Sequence, residues 1–541
     1  MSVSGGSVRD TGAALGTPDE AFRTAEAEDA ALPDHAEEAR DRRTILAGTG
    51  QNIVGLGVFV IASFGMNILI ARAFGKGSPA FGQITLITQL AFVAGAATRF
   101  GMDMAAVRRV AIETGQGHQG RSRPIVRLAV SIAVVVSVVV AALALLAAGS
   151  IGDLLNVPSA SVRAAAIALI FVAVAQVYLG GSRGLKIMRH TLYAYWIGQS
   201  VGWIVITLVL WAAIDKTVAV TTWAYGLSWV LATAIAFVSW RHATRTFTPE
   251  SIGEGETGAL VRYGAPRAPA ALLSQALFYT DLAVLSHYLP DDPQVSVYAA
   301  SIRVAQALVL FLTAVSYMFS PFVADLYERG LRDRLNALFK QITRWTLGGT
   351  IPLLLLFLIA PAAVLQVFGS SYDSGTAWLR VLLIGQTVNV SVGAAGFVLI
   401  MVGRTGWDLV VYAASFALDL VIAIVLVPHL GPMGAAIAQA FALVFSNALR
   451  LYLVWHFVRI QPYDRYYARL LIPTVIGATV MLGVHAVLEG PRWGIDLLGT
   501  ALIGGAAYYA AFLFFGLTPE EKQGVMAMLG RATGRAKSPV A

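Results

Sequence analysis

The chain of 541 residues contains no cysteine and few charged side chains. Without cysteine there is no disulfide framework, no thiolate metal ligand and no thiol nucleophile. Only 13% of the residues are Asp, Glu, Lys or Arg, against roughly a quarter in soluble domains, whereas 57% are hydrophobic. Because so little polar surface could not cover a soluble globule, the composition indicates a membrane protein.

The apolar residues fall into about fourteen runs of spanning length, which predicts an all-α membrane protein with about 14 transmembrane helices. We place these spans at 50–72, 81–107, 126–149, 161–182, 192–214, 218–239, 265–288, 297–320, 343–367, 376–402, 407–427, 433–457, 467–488 and 495–516. An even number of spans puts both termini on one side of the membrane. Most of the 39 Lys and Arg residues fall on that side, so we expect both termini to be cytoplasmic. The same distribution accounts for the net charge of +8, so we expect no nucleic-acid partner.

The chain is predicted to divide into five parts. Two internal echoes at one common offset indicate two six-helix halves related by pseudo-two-fold symmetry, followed by two C-terminal helices. The parts are a disordered acidic cytoplasmic tail (1–43), an N-terminal half (44–250), a C-terminal half (251–460), an extra transmembrane helix pair (461–516) and a basic cytoplasmic C-terminal tail (517–541). The basic tail is expected to lie on anionic membrane lipids.

Five recognisable segments follow one another between residues 50 and 460. They are ARAFG with AFGQ at 71–75 and 80–83, RFGMD at 99–103, YAASIR at 298–303, VFGSSY at 367–372 and LGPMGAAIA at 430–438. In these segments the chain resembles the polysaccharide-transporter and oligosaccharide-flippase branch of the multidrug/oligosaccharidyl-lipid/polysaccharide (MOP) exporter superfamily. The chain departs from this family in span 1, which has no charged residue between Asn52 and Ala71. A cation site on that helix therefore cannot be inferred from the resemblance.

The resemblance implies a flippase, not an enzyme. Its substrate would be a polyprenyl-pyrophosphate-linked oligosaccharide, moved by alternating access from the inner to the outer leaflet of the bacterial cytoplasmic membrane. Expected partners are the lipid-linked glycan, membrane lipids and enzymes of polysaccharide biosynthesis. The glycan, the lipid carrier, the driving force and the oligomeric state are left open.

Three arginines inside the spans are candidates for binding the pyrophosphate, since a charge within the membrane needs water or a partner. Arg267 lies at the inner end of span 7, with a simple interfacial anchor as the alternative. The resemblance implies that Arg303 in span 8 faces the cavity, with an ion pair to Asp281 as the alternative. Arg99 precedes Asp103 by four residues, the spacing of an ion pair within one helix, which favours a structural role.

The remaining candidates are carboxylates and amides within the spans. Asp281 and Asp419 could bind a coupling proton or sodium ion, or serve in structure or gating. Side-chain amides could bind sugar hydroxyls or join helices to each other. These amides are Asn67, Gln89, Gln275, Gln306, Gln386 and Asn389.

No catalytic, metal or cofactor cluster emerges from the sequence. Asp291 and Asp292 are interpreted as a solvated turn, and tryptophans including Trp196, Trp203 and Trp229 as a belt at the membrane interface. A cation-coupled multidrug antiporter of the same superfamily is the alternative function. A membrane glycan polymerase or ligase is a third hypothesis, which the short outer loops disfavour.

Overall fold

A computed structural model describes residues 44–522, except 45–47, 49, 53, 68, 71, 75–79, 279, 290–292, 491, 519 and 520. All regular secondary structure in these residues is helical. The predicted acidic tail, most of the predicted basic tail and the Asp291–Asp292 pair lie outside the described residues.

Within the described residues, eleven helices are long and apolar enough to cross a membrane, and three pairs bent by 44° to 47° bring the number to 14. The prediction of an all-α protein with about fourteen spans is therefore confirmed. We number them α1 (Gly50–Phe74), α2 (Ala80–Thr98 and Met102–Gly115), α3 (Ser122–Leu146), α4 (Ser159–Gly184), α5 (Arg189–Ala213), α6 (Val218–Ala243), α7 (Glu256–Ala276 and Thr280–Tyr288), α8 (Pro293–Gln306 and Val309–Glu328), α9 (Arg332–Ile359), α10 (Thr376–Val392 and Ala395–Met401), α11 (Thr405–Leu430), α12 (Pro432–Val458), α13 (Leu471–Leu488) and α14 (Trp493–Gly516). Short helices Ala148–Leu155 and Pro361–Leu365 follow α3 and α9.

The bundle consists of two pseudo-symmetric halves, α1–α6 and α7–α12, as the sequence predicts. Each half has its own apolar core. Buried Leu169 and Trp229 belong to the core of the first half, and buried Leu365 and Leu379 to that of the second. The precise limits predicted for the five parts stay a prediction.

The bend in α2 has a local cause. Gly101 adopts a φ of 69°, in the left-handed region that other residues rarely occupy. A Cβ atom at this position would lie 2.5 Å from the Cβ of Arg267 in α7. Glycine thus both turns the helix and allows α7 to approach it closely.

We call the end of the bundle that carries Arg108, Lys186 and Arg404 the basic end.

The extra pair, α13 and α14, packs on α9 of the second half. The Tyr508 hydroxyl donates a hydrogen bond of 2.8 Å to the Gly348 carbonyl oxygen, and Phe512 fits against the same glycine. These contacts fix the pair to the second half within the described residues.

A buried carboxylate holds the end of this pair in place. Glu521, whose side chain is 2% exposed, accepts hydrogen bonds from Arg344, from Gln341 at 2.8 Å and from Trp345 at 3.0 Å, all on α9. Burial by itself raises the pKa of the Glu521 carboxyl, but Arg344 and hydrogen bonds from Thr518 and Gln341 hold this pKa below its usual 4.5. Ionised Glu521 therefore stabilises the fold.

We expect Glu521→Gln to destabilise the protein by about 3 kcal/mol, because buried Arg344 loses its nearest acid and keeps only Asp464, at 3.9 Å. Melting of purified protein and tryptic cleavage at Lys522 would measure the change, with exposed Glu489→Gln as the matched control. Because the folded-state pKa is lowered, the stabilisation is complete above the usual carboxyl pKa and is lost as the pH falls through the folded value. Equal stability of both variants at neutral pH would contradict this role.

Candidate functional site

A cavity of about 220 Å³ lies within the second half near the basic end. Side chains from α7, α8, α10, α11 and α12 line it, and Met104 of α2 reaches it from the first half. Its charged and amide side chains are Arg267, Asp408, Arg450, Asn389 and Asn447, and Thr313, Ser316 and Tyr412 add hydroxyl groups. A polar cavity that also touches the other half through Met104 is a candidate position for a transported substrate.

Arg267 forms an ion pair with Asp408 across this cavity. Arg267 begins the helical segment Arg267–Ala276 of α7, whereas Asp408 lies in the first turn of α11. The two side chains are only 14% and 1% exposed. Because desolvation of either charge alone is costly, each one needs the other in this environment.

Arg450 supplies a second cation, two turns before the end of α12. Its guanidinium group stacks on the Tyr412 ring at 4.5 Å, and Gly396 leaves space beside it. Nε and Nη2 of Arg450, like Nε of Arg267, have no hydrogen-bond partner among the described residues. Two guanidinium groups therefore face one carboxylate, and several donors remain free for an anion.

The first half contains a cavity of a different character, about 180 Å³ in volume. Its lining consists of Phe59, Ala62, Ser63, Thr88, Gln89, Phe92, Tyr195, Gln199, Ser200, Trp203, Tyr225 and Trp229. None of these lining residues is charged. Tyr195 and Gln199 lie on a π-helical segment of α5, Leu192–Gln199, a distortion often found at functional sites.

Two acids of the second half are completely buried. Asp281 of α7 accepts a hydrogen bond from the hydroxyl group of Tyr298 in α8. Asp419 of α11 lies close enough to interact electrostatically with Asp281, and neither of its carboxylate oxygens has a hydrogen-bond partner among the described residues. A carboxylate placed in this way can take up a proton or a small cation.

Contacts between the halves close the bundle at the basic end. The Lys186 ammonium group of the first half lies 3.0 Å from the Asp325 carboxylate of α8. Arg108 donates a 2.8 Å hydrogen bond to the Met401 carbonyl oxygen and lies 3.6 Å from the Glu328 carboxylate. We expect these charged contacts between the halves to limit access of solvent to the second-half cavity from this end.

The structure places the three predicted arginines in three different environments. Arg267 lines the second-half cavity. Arg99 forms the ion pair with Asp103 that the spacing predicts, at 3.2 Å. Arg303 is exposed on α8, and within the described part of the chain it forms no ion pair with Asp281 or any other acid. Their roles in binding stay predictions.

The predicted amides are dispersed. Gln89 lines the first-half cavity and Asn389 the second-half cavity, where Asn389 donates to Gln386 at 3.2 Å. Asn67 donates to the Ser63 carbonyl oxygen of its own helix at 2.9 Å. The half-buried Gln275 and Gln306 lie outside both cavities.

One interpretation of the sequence needs correction, and one site residue was missed. Arg450, which is not among the predicted site residues, lies inside α12, eight residues before its end. The tryptophan belt is wrong for Trp203 and Trp229, which line the first-half cavity, and for the buried Trp196. Apolar aromatic rings fit a helix interior as well as an interface, so composition does not separate the two positions.

Comparison with known proteins supports this description. The family described as "Polysaccharide biosynthesis protein" matches residues 45–327. One similar solved structure is a multidrug resistance MATE family transporter of the MOP superfamily in its outward-facing conformation. Its sequence is 14% identical to this chain, the TM-score is 0.67, and the match covers 77% of this chain and 95% of that one. The structure of a MOP superfamily transporter from Pyrococcus furiosus is similar too, with a TM-score of 0.68. Its sequence is 13% identical to this chain, and the match covers 77% of this chain and 95% of that one. At these identities the structures show a shared fold, and no curated protein sequence matches the chain.

Because the chain lacks cysteine, a single introduced thiol can report on closure of the basic end. A Cβ atom at Gly115 would lie 1.8 Å from Oδ1 of Asp325, so Gly115→Leu should force α2 and α8 apart. We introduce Ser316→Cys in the second-half cavity and expect maleimide to label it about tenfold faster with Gly115→Leu than without it. A tenfold change corresponds to a shift of about 1.4 kcal/mol in the equilibrium between closed and open states. Gly258→Leu, which meets open space, is the control, and equal labelling in both backgrounds would rule out this closure.

Proposed function

We propose that this chain, which belongs to the polysaccharide biosynthesis protein family and has the fold of a membrane transporter, is a flippase for a polyprenyl-pyrophosphate-linked oligosaccharide. The glycan would move from the inner to the outer leaflet of the bacterial cytoplasmic membrane by alternating access. The basic end faces the cytoplasm in this proposal, in keeping with the distribution of Lys and Arg.

The observation that carries the proposal is the excess of cations in the second-half cavity. Arg267 and Arg450 face a single carboxylate, that of Asp408, and both arginines keep donors without a partner among the described residues. A pyrophosphate offers many acceptor oxygens to such donors, and the planar guanidinium group suits phosphate geometry. A cationic drug would instead be repelled here.

The first-half cavity suits the sugar part of this substrate. Its aromatic rings present flat apolar faces for the C–H faces of a sugar, and Gln89 and Gln199 can bond to hydroxyl groups. An uncharged aromatic cavity beside a cationic one matches a molecule with a neutral glycan and an anionic linkage.

Arg303 adds to this route. It is exposed on α8 and has no acid partner in the described chain. An unpaired guanidinium group in contact with lipid would be costly, so we assign it to the water-filled cleft between the halves. There it would attract the pyrophosphate toward Arg450.

The second candidate, a cation-coupled multidrug antiporter, is favoured by the buried Asp281–Asp419 pair. Antiporters need intramembrane carboxylates that bind and release a coupling ion. A flippase can use the same pair, however, whereas an antiporter of cations gains nothing from a cavity in which Arg267 and Arg450 outnumber the single carboxylate of Asp408. Family and fold are those of transporters, so the hypothesis of a glycan polymerase or ligase has no support beyond the sequence.

We expect Arg450→Gln to slow flipping about tenfold to hundredfold, because a hydrogen bond to a charged group contributes about 1.5–3 kcal/mol. The assay uses proteoliposomes that contain a fluorescent disaccharide linked to polyprenyl pyrophosphate, with an impermeant quencher to report the leaflet. Arg459→Gln, in the exposed turn after α12, is the matched control.

Two results would contradict the proposal. One is wild-type flipping by both Arg450→Gln and Arg267→Gln. The other is ion-driven efflux of ethidium by the purified wild-type protein without any flipping, which would favour the antiporter.

Coupling is tested at the buried acids. Asp419→Asn imitates the protonated carboxyl, so we expect flipping that no longer responds to a proton or sodium gradient, with substrate binding retained. The exposed Asp153→Asn serves as control. A wild-type gradient response in both Asp281→Asn and Asp419→Asn would exclude the pair from coupling.

A further inference from the structure

A third cavity, of about 520 Å³, opens on the outer surface of the first half at the basic end, away from both cavities described above. It lies between α3 and α6, with α4 as its floor. Four arginines line it, namely Arg123 and Arg127 on α3, and Arg241 and Arg245 at the end of α6. Arg123 and Arg127 are spaced by four residues, which places both on one side of α3, whereas Arg241 lies in the last turn of α6 and Arg245 in the turn that follows it.

Among the described residues, no acid pairs with these four guanidinium groups. Within the described part of the chain, none of them forms an ion pair, and Arg123 donates only to the Thr244 hydroxyl group at 3.1 Å. The neighbouring Arg121, by contrast, is paired with Glu113 at 3.2 Å and with Glu250 at 3.5 Å. Because like charges repel one another when they share a cavity, an anion bound here would stabilise this arrangement.

The other walls of the cavity are aromatic. Tyr178 and Phe237 meet edge to face at 5.5 Å, and buried Trp240 lies one helical turn beyond Phe237. Tryptophan and tyrosine are typical of the level at which lipid headgroups meet the acyl chains. Most of α3 is not buried against other helices, so we expect the side of the bundle on which this cavity lies to face lipid.

We propose that this cavity binds the headgroup of an anionic phospholipid. The phosphate accepts hydrogen bonds from Arg127, Arg241 and Arg245, while the acyl chains follow Phe237 along α3 and α6. Basic cavities between transmembrane helices on the cytoplasmic side bind such headgroups. The bound lipid joins α3 to α6, which otherwise meet at this end through the bond between Arg123 and Thr244.

Native mass spectrometry of the full-length protein in detergent tests the site, with phosphatidylglycerol and zwitterionic phosphatidylcholine as probes. We expect the protein to retain phosphatidylglycerol selectively, and the triple variant Arg127→Gln/Arg241→Gln/Arg245→Gln to lose at least about tenfold in affinity. The matched control, Arg262→Gln/Arg332→Gln/Arg465→Gln, removes three exposed charges from the same end of the bundle and should bind as the wild type does.

A second measurement guards against a misfolded variant. Phosphatidylglycerol should raise the melting temperature of the wild type and of the control, but not that of the cavity variant, while all three melt alike without lipid. Equal loss of lipid in both triple variants would show general charge attraction and overturn the proposal, as would equal retention. Displacement of the lipid by equimolar inorganic phosphate would show a site for a free anion and would also overturn it.

Discussion

The cost of placing an ion inside an apolar bundle is the constraint on which the rest of this structure depends. The protein meets it in two ways. Arg344 and Glu521 are both buried and form an ion pair, so their charges serve to hold the end of α14 on α9. Arg267 is paired with Asp408 but retains a free donor, and Arg450 is held by an aromatic ring instead of an acid. Arg267 and Arg450 line a cavity, where a substrate or water can bond to their free donors.

The two halves share a fold, but the side chains that line their cavities differ in polarity. Uncharged aromatic side chains line the cavity of the first half, whereas arginines and amides line that of the second. Pseudo-symmetric halves can rock about their junction without having equivalent surfaces. Under the proposed function, a substrate with chemically distinct ends would bind in one orientation, with each end against the half that suits it.

Much of the fold could be predicted from the sequence because bilayer thickness fixes the length of each apolar run. Arg99 and Asp103 were also predictable, since a spacing of four residues places both on one side of a helix. The pair of Arg267 and Asp408 was not, because its members are 141 positions apart and meet only when α7 packs on α11. The interior positions of Trp203 and Trp229 likewise depend on which side of each helix faces its neighbours, which apolar composition does not reveal.

In the proposed cycle, α7 and α8 link the buried acids to the cavity and to the closed end. Helix α7 carries Arg267 on one side of its bend and Asp281 on the other, while α8 carries Tyr298 near one end and Asp325 near the other. Helical segments are stiff, and hinge motions concentrate at breaks between them. A proton or cation at Asp281 changes the charge to which the Tyr298 hydroxyl donates, and so the contact between α7 and α8. The breaks in these two helices are where such a change can be converted into separation of Asp325 from Lys186.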